Sequence, residues 1–313
     1  MTKPPVRPLL GIALISAMAL CFASMDNIVR WLGSATPAAL PVLLMLSARY
    51  LFQAVAMAFW LAFDHRLSFR SEHPRFQALR GLLLLATSGF SFYGVQHMPV
   101  PEFTAINMLT PVLVTLLAAW LLHEQVSRWR WALVGTAFAG ALIVIRPGSG
   151  LFGWAVLFPL AGAVTYASFQ VLTRRLAGLE NPLTTHFWTG LVGSAVLLPL
   201  LWASGIDVRA AFAAVPATHW ALLALVGALG TGGHLMLILA LGVAPTAALM
   251  PFVYLQIGAA ALVGWWLFGH LPDFWGWVGM AVIALSGATS AWLNLRGAGA
   301  PRLSPVAADT IAD

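Results

Sequence analysis

Residues 98–124 read MPVPEFTAINMLTPVLVTLLAAWLLHE, and 146 positions further on residues 244–270 read APTAALMPFVYLQIGAAALVGWWLFGH. Met98-Pro99 falls on Ala244-Pro245, Trp120-Leu121 on Trp266-Leu267, and Glu124 on His270. After a two-residue difference in loop length, Trp131 and Gly135 match Trp275 and Gly279. At a shift of 144, Phe22-Ala23-Ser24 falls on Tyr166-Ala167-Ser168 and Arg30 on Arg174. Each match is weak alone, because apolar helices resemble one another; their collinear order carries the repeat.

The quoted segments belong to ten apolar stretches, at 9–32, 38–62, 77–96, 101–122, 129–146, 152–173, 184–203, 218–241, 246–268 and 274–294. A helix crossing about 30 Å of hydrocarbon needs roughly 20 apolar residues. Charged residues are 8% of the chain and mean hydropathy is +0.88, against about a quarter charged in a soluble domain, so lipid is the solvent. Runs such as Gly81–Ala86 and Ala259–Phe268 are apolar on every face, whereas barrel strands alternate. The expected fold class is an all-α membrane protein of ten transmembrane helices in two inverted five-helix repeats. The division is 1–8 cytoplasmic N-terminus, 9–147 first repeat, 148–294 second repeat and 295–313 disordered cytoplasmic tail. An odd number of spans per half turns the second half upside down, and two inverted halves have two packings of nearly equal energy, the physical basis of alternating access.

Charge sets the orientation. With the N-terminus cytoplasmic, twelve of the sixteen basic residues lie inside. Arg30, Arg146 and Arg209 lie outside and Arg49 within a span, a strong positive-inside bias that places both termini in the cytoplasm. The net charge of +6 is scattered over span ends, which excludes a nucleic-acid surface. Cys21 is the lone cysteine, so one chain has neither a disulfide framework nor a cysteine metal site. Lys3 and Arg7 precede an apolar run that continues to Leu32, too long for a signal-peptide core and read as an uncleaved first helix.

The ordered pattern resembles the EamA-type transporters of the drug/metabolite transporter superfamily. It is carried by Pro111-Val112-Leu113, then Trp120-Leu121-Leu122-His123-Glu124, then Trp131-Ala132-Leu133-Val134-Gly135. The second half repeats it as Tyr254-Leu255-Gln256, Trp266-Leu267-Phe268-Gly269-His270 and Gly276-Trp277-Val278-Gly279. Phe187-Trp188-Thr189-Gly190 is similar to the family's seventh helix. The resemblance covers about residues 9–294. It implies a bacterial inner-membrane carrier of small metabolites such as amino acids or amphipathic compounds, often an exporter, with spans 3, 4, 6 and 9 lining a central cavity.

A charge at the bilayer centre costs at least about 2.5–3.5 kcal/mol, so each needs a partner or a task. Arg49 is the deepest; it binds an anion, gates, or clamps helices. Asp26 and Arg30 stand four apart on one helical face, spaced for an ion pair. Glu102 opens the fourth helix, where the dipole favours an acid; it caps the helix or carries a proton on the outer side. His234 follows Gly232 and Gly233, which leave room for a ligand or a neighbouring helix. Tyr93, Asn107, Tyr166, Gln170, Tyr254 and Gln256 are uncharged polar groups in spans 3, 4, 6 and 9, where they bond across helices or to substrate. Pro111, Pro159 and Pro251 are expected hinges, since an interior proline removes a helix hydrogen bond. Coupling to protons through Glu102 or His234, and facilitated diffusion, both stay open.

No phosphate-cradling Gly-x-x-x-x-Gly-Lys-Ser/Thr sequence occurs, and Lys3 is the only lysine; this excludes ATP-driven transport by such a loop and retinal binding. An intramembrane serine hydrolase using Ser91 in Gly89-Phe90-Ser91, with His186 or His234 as base, is the enzyme alternative; it explains neither the repeat nor ten spans. A non-transporting scaffold or receptor is the other. The expected partners are a small-molecule substrate and the lipid bilayer, with no nucleic acid, no cofactor and no metal; a homodimer stays open.

Overall fold

The computed structural model describes residues 8–34, 39–63, 68–121, 128–149, 151–176, 179–243, 249 and 252–297. Regular structure among them is helical throughout, with no strand. The first half holds α1 (Pro8–Ser34), α2 (Val42–Phe63), α3 (Pro74–His97), α4 (Val100–Asn107), α5 (Thr110–Leu121) and α6 (Arg128–Ile145). After a 3-10 turn at Gly153–Val156 come α7 (Leu157–Leu176), α8 (Pro182–Ala203), the short α9 (Val208–Ala214), α10 (Ala217–Val243), α11 (Leu255–Phe268) and α12 (Phe274–Gly297). Of the expected N-terminal segment 1–8, residues 1–7 lie outside the described residues and Pro8 already opens α1. Glu124, Ala244-Pro245, Pro251 and the tail beyond Gly297 also lie outside them; the tail is expected from 295, whereas α12 runs on to Gly297.

Helix boundaries follow local chemistry. Pro74 and Pro182 open α3 and α8 at the first helical position, where an N–H is surplus. Asn181 caps α8 by accepting from the Leu183 amide at 2.9 Å, and Asp207 caps α9 through the Ala210 amide at 3.0 Å. α11 ends at Gly269, whose φ of 65° is the left-handed conformation that closes a helix.

Among the described residues, six helical segments are long and apolar enough to cross a membrane: Leu9–Ser34, Val42–Phe63, Pro74–His97, Gly153–Thr173, Pro182–Ala203 and Ala217–Ala240. Four shorter apolar ones are Val100–Val114, Trp131–Ile145, Leu255–Phe268 and Phe274–Ser290. These segments fall on the ten stretches read from sequence, and the shorter ones are the fourth and fifth of each half. The fourth stretch, expected as one helix over 101–122, is instead two. α4 ends at Asn107, the Leu109 amide bonds back to the Ile106 carbonyl at 3.0 Å, and the Thr110 hydroxyl caps the Asn107 carbonyl at 2.7 Å. Pro111 is therefore the second residue of α5 and not an interior kink: it bars helix continuation from behind. Shifted by 146, this break falls on Tyr254-Leu255, where a turn precedes α11 and the Ile257 amide bonds to the Tyr254 carbonyl at 3.1 Å. Pro159 likewise stands in the first turn of α7, at the change from 3-10 to α geometry.

The packing has a symmetry. α1 packs on α10 and α11, while α7 packs on α3, α4 and α5. α2 meets α10, while α8 meets α3. α2 with α8, α4 with α11, and α6 with α12 pair across the halves. Exchanging α1 for α7, α2 for α8, α3 for α10, α4–α5 for α11 and α6 for α12 maps these pairs onto one another, while the packing of α3 on α1 and α2 has no counterpart of like extent between α10 and α7 or α8. Self-paired partners of this kind arise from a half-turn rotation between the halves and not from a translation. On the α6–α12 seam the backbones nearly touch: a Cβ on Gly279 would lie 2.7 Å from the Gly140 carbonyl oxygen.

Candidate substrate-binding site

α2 buries Ser47, Arg49, Tyr50 and Gln53 on one face, and Arg49 and Gln53, four apart, are stacked neighbours there. Arg49 donates through a terminal nitrogen to the Ser88 hydroxyl of α3 at 2.7 Å. The Tyr50 hydroxyl lies 2.9 Å from the same oxygen, and Ser88 donates its own proton to the Leu84 carbonyl at 2.9 Å. The guanidinium lies against the rings of Tyr50 (4.9 Å) and Phe92 (5.9 Å), a cation–π setting that offsets part of its lost hydration. α10 makes room with Gly230, where a Cβ would stand 2.7 Å from Arg49 Nε. The opposite charge comes from α1: Asp26 is buried, accepts from the Ser91 hydroxyl at 3.1 Å and lies within electrostatic reach of Arg49.

Beside this group two histidines meet. Gln53 Nε2 is 3.3 Å from His186 Nδ1 and donates to the His186 carbonyl at 3.1 Å. The His186 ring stacks on His234 with centroids 6.1 Å apart, and Phe22 meets His234 edge-on at 4.8 Å. Arg49 Nε, Gln53 Oε1 and Thr231 Oγ1 are buried with no hydrogen-bond partner among the described residues, and the His186 and His234 rings have only loose contacts with the backbone at Thr231 and Gly230. Buried polar atoms are normally paired, and leaving them bare costs about 1–3 kcal/mol each. These groups gather around the Arg49 guanidinium.

Of the residues singled out by sequence, Arg49 and His234 belong to this cluster, and Tyr166 lies within electrostatic reach of Arg49 and Arg80. Asn107 ends α4 with its Oδ1 unpaired, facing Gly162 of α7. Gln170 is half-buried on α7, and Gln256 is buried near the start of α11. Tyr254 stands apart: its hydroxyl is pressed on Gly287 of α12. Tyr93 is 45% exposed and stacks on Phe158. Sequence reasoning missed Ser88, Tyr50 and Gln53, and it counted Arg80 only among the twelve basic residues of the inner side. Arg80 is buried, donates to Thr173 Oγ1 (2.8 Å), the Thr185 carbonyl (3.1 Å) and Thr189 Oγ1 (2.7 Å), and lies over Phe169. The signal was present: Gln77, Arg80, Thr87, Ser88 and Ser91 form one stripe at helical spacing along α3.

Three other residues raised by the sequence have these surroundings. Asp26 and Arg30 do not pair; Arg30 turns to the Val95 and Met98 carbonyls that end α3, while Asp26 goes inward to Ser91. Ser91 sits within the unbroken α3 and its hydroxyl is taken by Asp26, so the nucleophile turn of a serine hydrolase is not formed. Glu102 is bound by His270 at 3.0 Å, one carboxylate oxygen remaining unpaired. A separate network joins the 68–73 segment to Glu180, which accepts from Ser71, from the His73 amide at 2.9 Å and from Gln77 at 2.8 Å. Burial pushes the Glu180 carboxyl up, but these bonds outweigh it and hold it below the usual carboxylate value.

The EamA-like transporter family matches the chain twice, over residues 9–146 and 153–290. A riboflavin transporter of Rhizobium johnstonii is 29% identical over 286 residues, 89% of this chain and 90% of its own. An S-adenosylmethionine uptake transporter of Rickettsia prowazekii is 23% identical over 225 residues, 72% of this chain and 74% of its own. A pseudopaline exporter of Pseudomonas aeruginosa is 28% identical over 187 residues, 58% of this chain and 62% of its own. A crystal structure of another protein superposes with a TM-score of 0.59 at 21% identity, covering 92% of this chain and 96% of that one, which shows a common fold.

Proposed function

The chain belongs to the EamA-like transporter family, is a multi-pass membrane protein, and on that premise we propose that it carries a small polar metabolite across the bacterial inner membrane by alternating access. The observation that carries the reading is the packing set that survives exchange of the halves, with a polar cluster enclosed among α1, α2, α3, α8 and α10. A scaffold has no need of two equivalent arrangements or of buried orphan donors and acceptors; a carrier uses both.

In this reading ten segments cross the bilayer and both termini are cytoplasmic. Residues on matched sides support that parity. Arg146 pairs with Asp273 at 2.7 Å and Glu102 with His270, all four near spans' outer ends, while Ser71 and His73 meet Glu180 between inner ends. The substrate binds at Arg49, His186 and His234, with Tyr166 and Gln170 from α7. Direction follows the prevailing gradient, since relatives bear names of both uptake and export. The size and polarity of the relatives' named cargoes make riboflavin and S-adenosylmethionine the first compounds to test. Purified protein in proteoliposomes loaded with each should exchange at least one of them, and Arg49→Met should reduce that flux at least tenfold with the protein still inserted. A wild-type chain that moves neither these nor any member of a broad metabolite panel removes the carrier reading.

A further inference from the structure

Asp26 is the buried acid to which the carrier reading gives no task. It is 5% exposed on α1, and among the described residues its one hydrogen bond is accepted from Ser91 at 3.1 Å. Ser88 and Ser91 stand three apart on α3, a spacing that makes them neighbours on one helical face. The Arg49 guanidinium docks on the first hydroxyl and the Asp26 carboxylate on the second. Cation and acid are thus held side by side by one turn of α3 without forming an ion pair; the pairs among the described residues are His73–Glu180, Arg146–Asp273 and His270–Glu102. The two hydroxyls differ in what they have left. Ser88 is saturated by Arg49, Tyr50 and the Leu84 carbonyl. Ser91 bonds only to Asp26 among the described residues, and a hydroxyl accepts as well as donates. It therefore serves Asp26 in either protonation state, donating to the carboxylate or accepting from the acid. Glu180 is the contrast: the His73 amide N–H that binds it at 2.9 Å can only donate, which suits a carboxylate alone.

Charge sorts the guests. On its own the cluster holds one cation and one carboxylate, and net charge among apolar helices is costly. A neutral guest leaves that balance alone. A cationic guest adds a second positive charge beside a guanidinium that keeps its proton. An anion finds donors on Arg49, whose Nε has no partner among the described residues, and its excess charge is removed when Asp26 takes a proton from the water on the open side. The other ionisable groups around Asp26 serve less well. Arg30, on the same helix, is turned to the Val95 and Met98 carbonyls, and Glu102 of α4 is held by His270. On α3, Arg80 is about three turns from Ser91 and His97 stacks on Phe158. α11 brings no charged side chain. On α10, His219 lies against Trp31, and His234 is stacked between Phe22 and His186. A proton on His234 leaves Arg49, Asp26, the guest and the ring all charged, whereas a proton on Asp26 leaves only Arg49 and the guest. We propose that Asp26 is the proton-coupling group of this carrier, taking up one proton when an anionic group, a carboxylate or a phosphate, settles on Arg49. This rests on the carrier reading with Arg49 in its site, and it moves the coupling away from Glu102 and His234, where the sequence pointed.

The test is equilibrium dialysis of radiolabelled benzoate, pyruvate and dimethyl phosphate against the purified full chain over about pH 5 to 9, where all three stay ionised. Benzamide and trimethyl phosphate are the neutral competitors. At least one anion should bind saturably, with its neutral counterpart at least tenfold weaker. Its affinity should rise by about tenfold per pH unit on acidification until Asp26 is protonated throughout. A pH indicator in weakly buffered detergent should read about one proton taken up per anion bound. Arg49→Met should abolish binding. Asp26→Asn, whose amide stands in for the neutral acid, should keep binding and lose both the pH slope and the proton uptake. His234→Gln should weaken binding yet keep one proton per anion, and Glu102→Gln should change neither. Should Asp26→Asn not fold, Ser91→Ala leaves the acid and removes its reversible partner; a displaced pH profile supports the proposal and an unmoved one ends it. Failure of all three anions to bind, binding without proton uptake, or uptake that survives Asp26→Asn or vanishes in His234→Gln also overturns it. Arg49-dependent binding with no proton taken up removes the coupling and leaves the carrier reading, whereas proton-linked binding in a chain that transports nothing removes the carrier reading alone.

Discussion

Ser88 has one proton and two lone pairs, and all three are used: it donates to Leu84 and receives both Arg49 and Tyr50. That economy lets a neutral hydroxyl hold a cation in an apolar bundle, with Asp26 as the compensating charge. Removing either charge weakens the electrostatic compensation of the other, a loss of about 1–3 kcal/mol. Asp26→Asn and Arg49→Met should each lower the melting temperature in detergent, and the double variant should lose clearly less than the sum; strict additivity would show that the two charges are not coupled. Glu180 gives a second residue-scale prediction. Its folded carboxyl sits below the ordinary value of about 4.3, so the folded state binds fewer protons than the unfolded state near that pH. The stabilisation is complete above the ordinary value and drains away as pH falls through the folded one. Melting temperature should drop between about pH 5 and 3, and Glu180→Gln, costing about 1 kcal/mol at neutral pH once screening is allowed for, should flatten the drop. An unchanged slope in that variant would assign the acid sensitivity elsewhere. The depth of Arg49 was legible in sequence because position along an apolar run fixes depth. The partners of Asp26 were not, because spacing on α1 favours Arg30 and only the arrival of α3 makes Ser91 the nearer donor.

At the scale of elements, glycine decides how closely helices approach. Gly279 faces Val144 at 2.6 Å and the Gly140 carbonyl at 2.7 Å from a notional Cβ, so a side chain there must push α6 and α12 apart. Gly279→Val should cost about 1–3 kcal/mol as overpacking, whereas Gly89→Ala on α3, with nothing within 4 Å of the new methyl, should be neutral or raise stability by about 0.5–1 kcal/mol through backbone entropy. Thermal unfolding of the two variants checks the contrast, and equal effects would mean that the seam is looser than described. The ten apolar stretches were readable because lipid acts on each helix separately, through length and composition. The α4–α5 break was half readable: Pro111 announced an interruption, but whether a proline kinks a helix or begins one depends on the residues before it. Here the turn at Met108-Leu109 comes first. The matching turn at Tyr254 has no proline in the described residues to announce it, and only the repeat register points there.

For the whole molecule the issue is parity. α4 and α5 span 22 residues, about 33 Å at 1.5 Å per residue, enough to cross if the broken helix stays roughly straight and too little if it doubles back. The pairing set favours crossing, because α4 meets α11 and α6 meets α12 as self-paired partners, and a re-entrant fourth segment would put its half's remaining helix on the wrong side for the exchange. Composition and the positive-inside bias gave an orientation in advance but could not exclude re-entry, since a short apolar segment has the same hydropathy whether it crosses or returns. Labelling separates the two. In a Cys21→Ala background, Arg70→Cys and Leu179→Cys, both at exposed positions between inner ends, should react with a membrane-impermeant maleimide from one face of sealed vesicles. Ser149→Cys and Ser204→Cys, exposed between outer ends, should react only from the other. Four crossings separate 70 from 179, and three separate 70 from 149. If 149 were labelled on the same face as 70, one segment of the first half would not cross, the two halves would no longer be inverted, and the exchange of packings on which alternating access depends would have no symmetric counterpart.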